Sequence, residues 1–117
     1  MTFLYVAIGG ALGASLRYLV ALNVAFPLGT LAVNVIGSFL MGLMVIMLAS
    51  KGLDRFMPLV LTGMLGGFTT FSAFSLDTLQ LYEAGRAGEA ALYVLASVVL
   101  SLVAVFLAVW IARGIFG

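Results

Sequence analysis

The chain has 117 residues, of which 65% are apolar and 8% charged: five Lys or Arg, four Asp or Glu, and neither His nor Cys. Ordinary soluble domains carry about 25% charged residues, so too few charges are present to coat a soluble sphere or to keep a chain disordered. A mean hydropathy of +1.32 and a net charge of +1 describe an all-α membrane protein with no electrostatic footprint for nucleic acid.

The missing residue types narrow the chemistry. Without His or Cys there is no imidazole or thiolate metal site, no redox cysteine pair and no Ser-His or Cys-His nucleophile. The acidic residues are isolated, and a serine without a base is not a nucleophile, so no enzyme constellation exists. Residues 1–6 lack the basic segment of a secretory signal and Arg17 would interrupt its apolar core, so the first apolar run is expected to be retained.

Four apolar runs follow one another at about 3–22, 28–50, 56–82 and 90–112. Each has the roughly 20 residues that a helix needs to cross a bilayer core. They are separated by short polar or helix-breaking segments at 23–27, 51–55 and 83–89, so residues 1–117 are expected to form one four-helix transmembrane domain. Whatever such a chain does, it does inside the bilayer, and four helices alone make a wall rather than an enclosed path. Oligomerisation is therefore expected.

In the first run, Gly9 with Gly13 and Gly10 with Ala14 stand four residues apart, a spacing that lets helices approach closely, within one subunit or between two. Arg17 either snorkels to the headgroups or raises the local anion concentration at an aqueous mouth. The second run repeats the small-residue spacing at Ser38 and Gly42 and carries one strongly polar group, Asn34. A carboxamide in hydrocarbon without partners costs several kcal/mol, so Asn34 faces a partner helix or a pore.

The third run is the informative one. Its middle, residues 66–75, reads GGFTTFSAFS. Adjacent glycines followed by Thr, Thr and Ser propagate a helix poorly, and the segment is too long for one straight crossing, which predicts a break near 66–72. At membrane depth the freed N–H and C=O groups persist only if buried in protein, facing water or binding an ion. A glycine kink with packed hydroxyls fits the same residues. Converging carbonyls suit a small hard cation, whereas hydroxyls and the positive edges of Phe rings suit an anion; the stretch offers both. Asp77 follows in the second half of the run, with no role evident.

In the fourth run Tyr93, Ser97 and Ser101 recur every four residues. They place three hydroxyls along one helical face over about 12 Å. Ser in a membrane helix often bonds its own backbone, so the row carries more weight than any member. Trp110 reads as an interfacial anchor.

Loop charges bear on orientation. Lys51, Arg55 and Arg113 fall on the side of the termini, against Arg86 and, if it snorkels, Arg17 on the other. So slight a difference predicts insertion both ways round and antiparallel pairing, with a weak preference for cytoplasmic termini as the alternative.

Taken together, the glycine-rich first helix ending in Arg17-Tyr18, the Pro27-Leu28-Gly29-Thr30 approach to the second with Asn34 following, GGFTTFSAFS, and the Tyr93, Ser97, Ser101 row are specific. Over nearly its full length the chain resembles the CrcB/Fluc family of fluoride channels. The resemblance implies an antiparallel, dual-topology homodimer in a prokaryotic cell membrane, with two fluoride pores that passively export the ion. It implies a structural Na+, not transported, held by the Gly66 and Thr69 carbonyls of both subunits. Phe71 and Phe74 would line the pore with Thr70 and Ser72 between and beside them, Asn34 would be a pore amide, Tyr93, Ser97 and Ser101 the hydroxyl track, and Arg17 would lie at the mouth. Ala73 departs from the pattern, standing where the family commonly has Thr. The rival is a small multidrug-type proton-coupled transporter, which relies on a carboxylate in its first helix; this first helix has none.

Overall fold

The computed structural model describes residues 1–117, and it is helical throughout. Helix α1 spans Thr2–Asn23 and α2 spans Leu28–Ser50. A 3-10 turn at Asp54–Phe56 leads into a π-helix at Pro58–Leu65, which continues as α3, Gly66–Phe68. Helix α4 is Phe71–Glu83 and α5 is Ala87–Phe116. Four stretches are long and apolar enough to cross a membrane: α1, α2, Asp54–Glu83 and α5. The molecule measures 50 × 31 × 20 Å, so its long axis exceeds the roughly 30 Å hydrocarbon core. Only 17 of 117 residues are buried, while large side chains such as Phe3, Phe106 and Trp110 point outward. Those exposed apolar faces need lipid or protein against them. This is a membrane protein.

The first two helices begin and end within a residue of the predicted runs. The fourth is longer at both ends than the predicted 90–112, because hydropathy stops at charges whereas helices do not. Glu89 sits in the first turn of α5 and Arg113 in the last, each opposite the sign of the helix dipole at that end. Glu89 also pairs with Arg86 one turn back.

Glycine brings the helices together at the backbone. A Cβ on Gly63 would lie 2.9 Å from Gly9 Cα, and one on Gly67 would lie 2.8 Å from the Gly10 carbonyl. Helix α1 therefore lies directly on the π-helix and α3, the arrangement by which small residues hold membrane helices together without a hydrophobic driving force. On the other side a Cβ on Gly42 would lie 2.6 Å from the Val105 carbonyl, joining α2 to α5. The small residues at four-residue spacing in α1 and Gly42 thus pack helices of the same chain.

The third span is bent where the sequence predicts it. Thr69 (φ −86°, ψ 155°) and Thr70 (φ −154°, ψ 119°) are extended, and the helical ladder stops between Phe68 and Phe71. The π-helix ahead of the bend was not foreshadowed by composition; such bulges gather at functional sites. Pro58, which lacks an N–H, opens it.

Candidate ion-binding site

Two extended residues inside a membrane span leave main-chain groups without helical partners, and the neighbouring helices supply them. The Thr70 N–H donates to Asn34 Oδ1 at 2.7 Å, and Asn34 Nδ2 donates back to the Thr70 carbonyl at 3.1 Å. Asn34 thus clasps one peptide residue from both sides and keeps one Nδ2 hydrogen to spare. Arg17 Nε donates to the Gly67 carbonyl at 3.0 Å, so its guanidinium reaches into the bundle. Thr70 Oγ1 accepts from the Ala73 N–H at 3.1 Å and lies 3.1 Å from Ser72 Oγ, forming the N-cap of α4.

The bend therefore sets two opposite helix ends next to one another. The N-terminus of α4 presents free N–H groups and the positive end of its dipole, which favours an anion. The π-helix and α3 present carbonyls. The Thr70 N–H that would have bonded the Gly66 carbonyl in a continued helix is turned to Asn34, and the Thr69 carbonyl has no backbone partner. Gly66 is exposed and Thr69 half-buried in the isolated chain.

Beside the bend lies an open cleft of about 440 Å³ between α2, the 69–74 stretch and α5. It brings together Asn34, Thr69, Thr70, Phe71, Phe74, Ser97 and Ser101 from three separate parts of the sequence. The rings of Phe71 and Phe74 meet edge-on at 5.3 Å; Phe74 is buried, whereas Phe71 is 77% exposed. Ser97 is buried, yet its hydroxyl has no hydrogen-bond partner. An unsatisfied buried polar atom costs about 1–3 kcal/mol, a cost that a water, an ion or a further protein group bonded to the Ser97 hydroxyl would offset.

The other residues singled out from sequence lie around the cleft rather than on its wall. Tyr93 packs on Phe74 at 5.5 Å and donates to Asp77 Oδ2 at 3.1 Å, which gives Asp77 a partner. Ser72 is exposed beside the Thr70 cap, Gly66 lies one helical turn before the bend, and Arg17 is engaged on Gly67. Of the remaining cleft residues, Ser38 was read only as a small contact residue, and Gly37, Met41, Val98, Leu102 and Val105 were not singled out. The four-residue step from Asn34 to Ser38 was the available signal.

A family model described as "CrcB-like protein, Camphor Resistance (CrcB)" matches residues 4–109. The chain belongs to the CrcB family. A relative from Cereibacter sphaeroides, named "Fluoride-specific ion channel FluC", is 56% identical over 119 residues, covering 97% of this chain and 95% of the relative. Proteins of the same name from Paracoccus denitrificans and Agrobacterium fabrum are 54% and 49% identical, over 98% and 95% of this chain and 97% and 95% of theirs. As a CrcB protein the chain is a channel-family member and not an enzyme, and the carboxylate-dependent multidrug transporter falls away as a rival.

Proposed function

We propose that the chain forms a fluoride-selective channel that lets the ion leave the cell passively, in keeping with the names of its relatives. The observation that carries this is the cleft, in which neutral donors converge beside the N-terminus of α4 and one of them, Ser97, is buried with nothing to bond. Fluoride is small and holds its water tightly. A pore for it must replace lost hydration with close donors at several points, each too weak to trap the ion. Hydroxyls of Ser97 and Ser101, the spare N–H of Asn34 and the ring edges of Phe71 and Phe74 are donors of that kind. Thr70, Ser72 and Tyr93 support them at the margin. A fixed cation in the cleft would hold the ion too firmly; Arg17 is not among the residues that line it, and its Nε donates to the Gly67 carbonyl. The membrane potential, about 2.3 kcal/mol per charge per 100 mV, drives an anion out of an inside-negative cell without proton coupling.

Two copies in antiparallel orientation complete the channel, each copy being one transmembrane unit. The cleft is open on one side, and its exposed wall includes Phe71, Val98 and Leu102, a surface that a second copy would cover. A structural Na+ fits the same joint: the Gly66 and Thr69 carbonyls are released from the helical ladder, and oxygen ligands without thiol or imidazole suit a hard cation. When bound, Na+ supplies positive charge that gathers carbonyls of both copies at the interface.

The test is efflux from liposomes loaded with fluoride or chloride, with valinomycin clamping the potential. Rapid fluoride release with chloride retained supports the channel. Absence of fluoride release from dimeric, Na+-equilibrated protein refutes it.

A further inference from the structure

Hydroxyls at membrane depth usually satisfy themselves on their own helix. Three hydroxyls of the third span follow that rule: Thr69, Ser75 and Thr78 donate to the carbonyls of Leu65, Phe71 and Phe74 at 3.0, 3.0 and 2.8 Å. Ser38 makes no bond of this kind. It stands one turn after Asn34 on the same face of α2, half-buried, on the wall of the cleft that also holds Ser97 and Ser101.

We infer that Ser38 is a further ion-contacting residue, a hydroxyl on the α2 wall that faces the Ser97–Ser101 pair and shares in replacing the anion's water. The inference rests on the fluoride-channel reading and adds to it a residue from a different helix. Three features hold Ser38 in place. Its neighbour Gly37 allows α2 to press on the bend, since a Cβ there would collide with Thr69 Cγ2 and approach Phe68 Cδ2 to 3.4 Å. One turn earlier, the Asn34 clasp ties α2 to Thr70. One turn later, Gly42 lies against Val105 and Ala108 of α5. Close packing therefore falls to Gly37 and Gly42, and Ser38 between them is left facing the open volume. With hydroxyls on two helices, an anion in the cleft meets donors from opposite sides instead of a single row. Two-sided contact is what lets a pore compensate dehydration and discriminate by size.

The experiment compares wild type with Ser38→Ala, Ser38→Cys and Ser38→Thr as full-length protein in the same fluoride-loaded liposomes, with oligomeric state checked by size-exclusion chromatography. Cys preserves the side chain's shape but is a weak donor, and Thr retains the hydroxyl. Fluoride efflux about tenfold slower in Ser38→Ala and Ser38→Cys, recovered in Ser38→Thr and with the oligomer unchanged, supports the assignment. Wild-type rates in Ser38→Cys overturn it, and that variant decides the matter if Ser38→Ala fails to assemble. Loss of fluoride release in the wild type is a different result, and removes the channel reading itself.

Discussion

Replacing Asn34 with Leu keeps the approximate volume of the side chain and removes both hydrogen bonds that its amide makes to Thr70, at 2.7 and 3.1 Å. No other bond serves the Thr70 N–H, and neither group can turn to water if the site is closed by protein or lipid. Leaving a buried donor or acceptor unmade costs about 1–3 kcal/mol, so the pair together is worth about 2–6 kcal/mol. Part of that loss is local: at a factor of ten for every 1.4 kcal/mol, the Thr70 amide should exchange its hydrogen about ten to a hundred times faster than in wild type. Hydrogen exchange read by mass spectrometry over a peptide containing 66–75 measures this directly, with an unfolding titration in detergent for the global part. Asn34→Asp is the informative companion, because it keeps the acceptor for the Thr70 N–H and loses the donor to its carbonyl. If Asn34→Leu leaves exchange over 66–75 unchanged and stability within about 0.5 kcal/mol, the clasp does not hold the bend and the reasoning fails.

Ser97→Ala should separate stability from conduction: deleting an unsatisfied buried hydroxyl leaves the unfolding free energy equal or raised by about 1 kcal/mol, while fluoride efflux falls about tenfold. Gly13→Ala places a Cβ on the Met64 carbonyl and should cost at least the 1–3 kcal/mol of ordinary overpacking; Gly114→Ala, where a Cβ meets nothing, should be neutral or slightly stabilising. Both are read by denaturant midpoint in detergent. Thr70→Val removes the cap on the Ala73 N–H, an expected loss of about 0.5–2 kcal/mol, whereas Thr70→Ser should retain most of it.

The features readable in the sequence were those that depend on local composition. Run length and loop charge located the spans, and the Gly-Gly and Thr-Thr pairs located the bend, because both are properties of consecutive residues. The face shared by Ser97 and Ser101 was readable for the same reason, since helical periodicity alone places them together. What remained hidden were the partners chosen across space. That Asn34 would bind both groups of one threonine, or that Arg17 would reach Gly67 instead of the headgroups, depends on the depth at which helices far apart in sequence meet. The π-helix at Pro58–Leu65 was hidden too, because its apolar residues read as ordinary helix and its register answers to the glycines of α1. The place of Ser38 on the cleft wall was hidden as well, because a serine four residues before a glycine carries no sign of the open space that α2 and α5 leave between them.

The bend also divides the molecule mechanically. On one side, α1 lies backbone to backbone on the π-helix and α3, so these segments have no slack between them and must move as a single block. On the other, α4 leans through Phe74 and Leu81 on Ala90 and Tyr93 of α5, and α5 is seated on Gly42 of α2. Thr69 and Thr70 are the covalent hinge pin between the two blocks in the third span, and the Asn34 amide is the latch that spans it. Rocking of one block against the other therefore loads the extended Thr69–Thr70 segment and, through it, the two hydrogen bonds that Asn34 makes to Thr70.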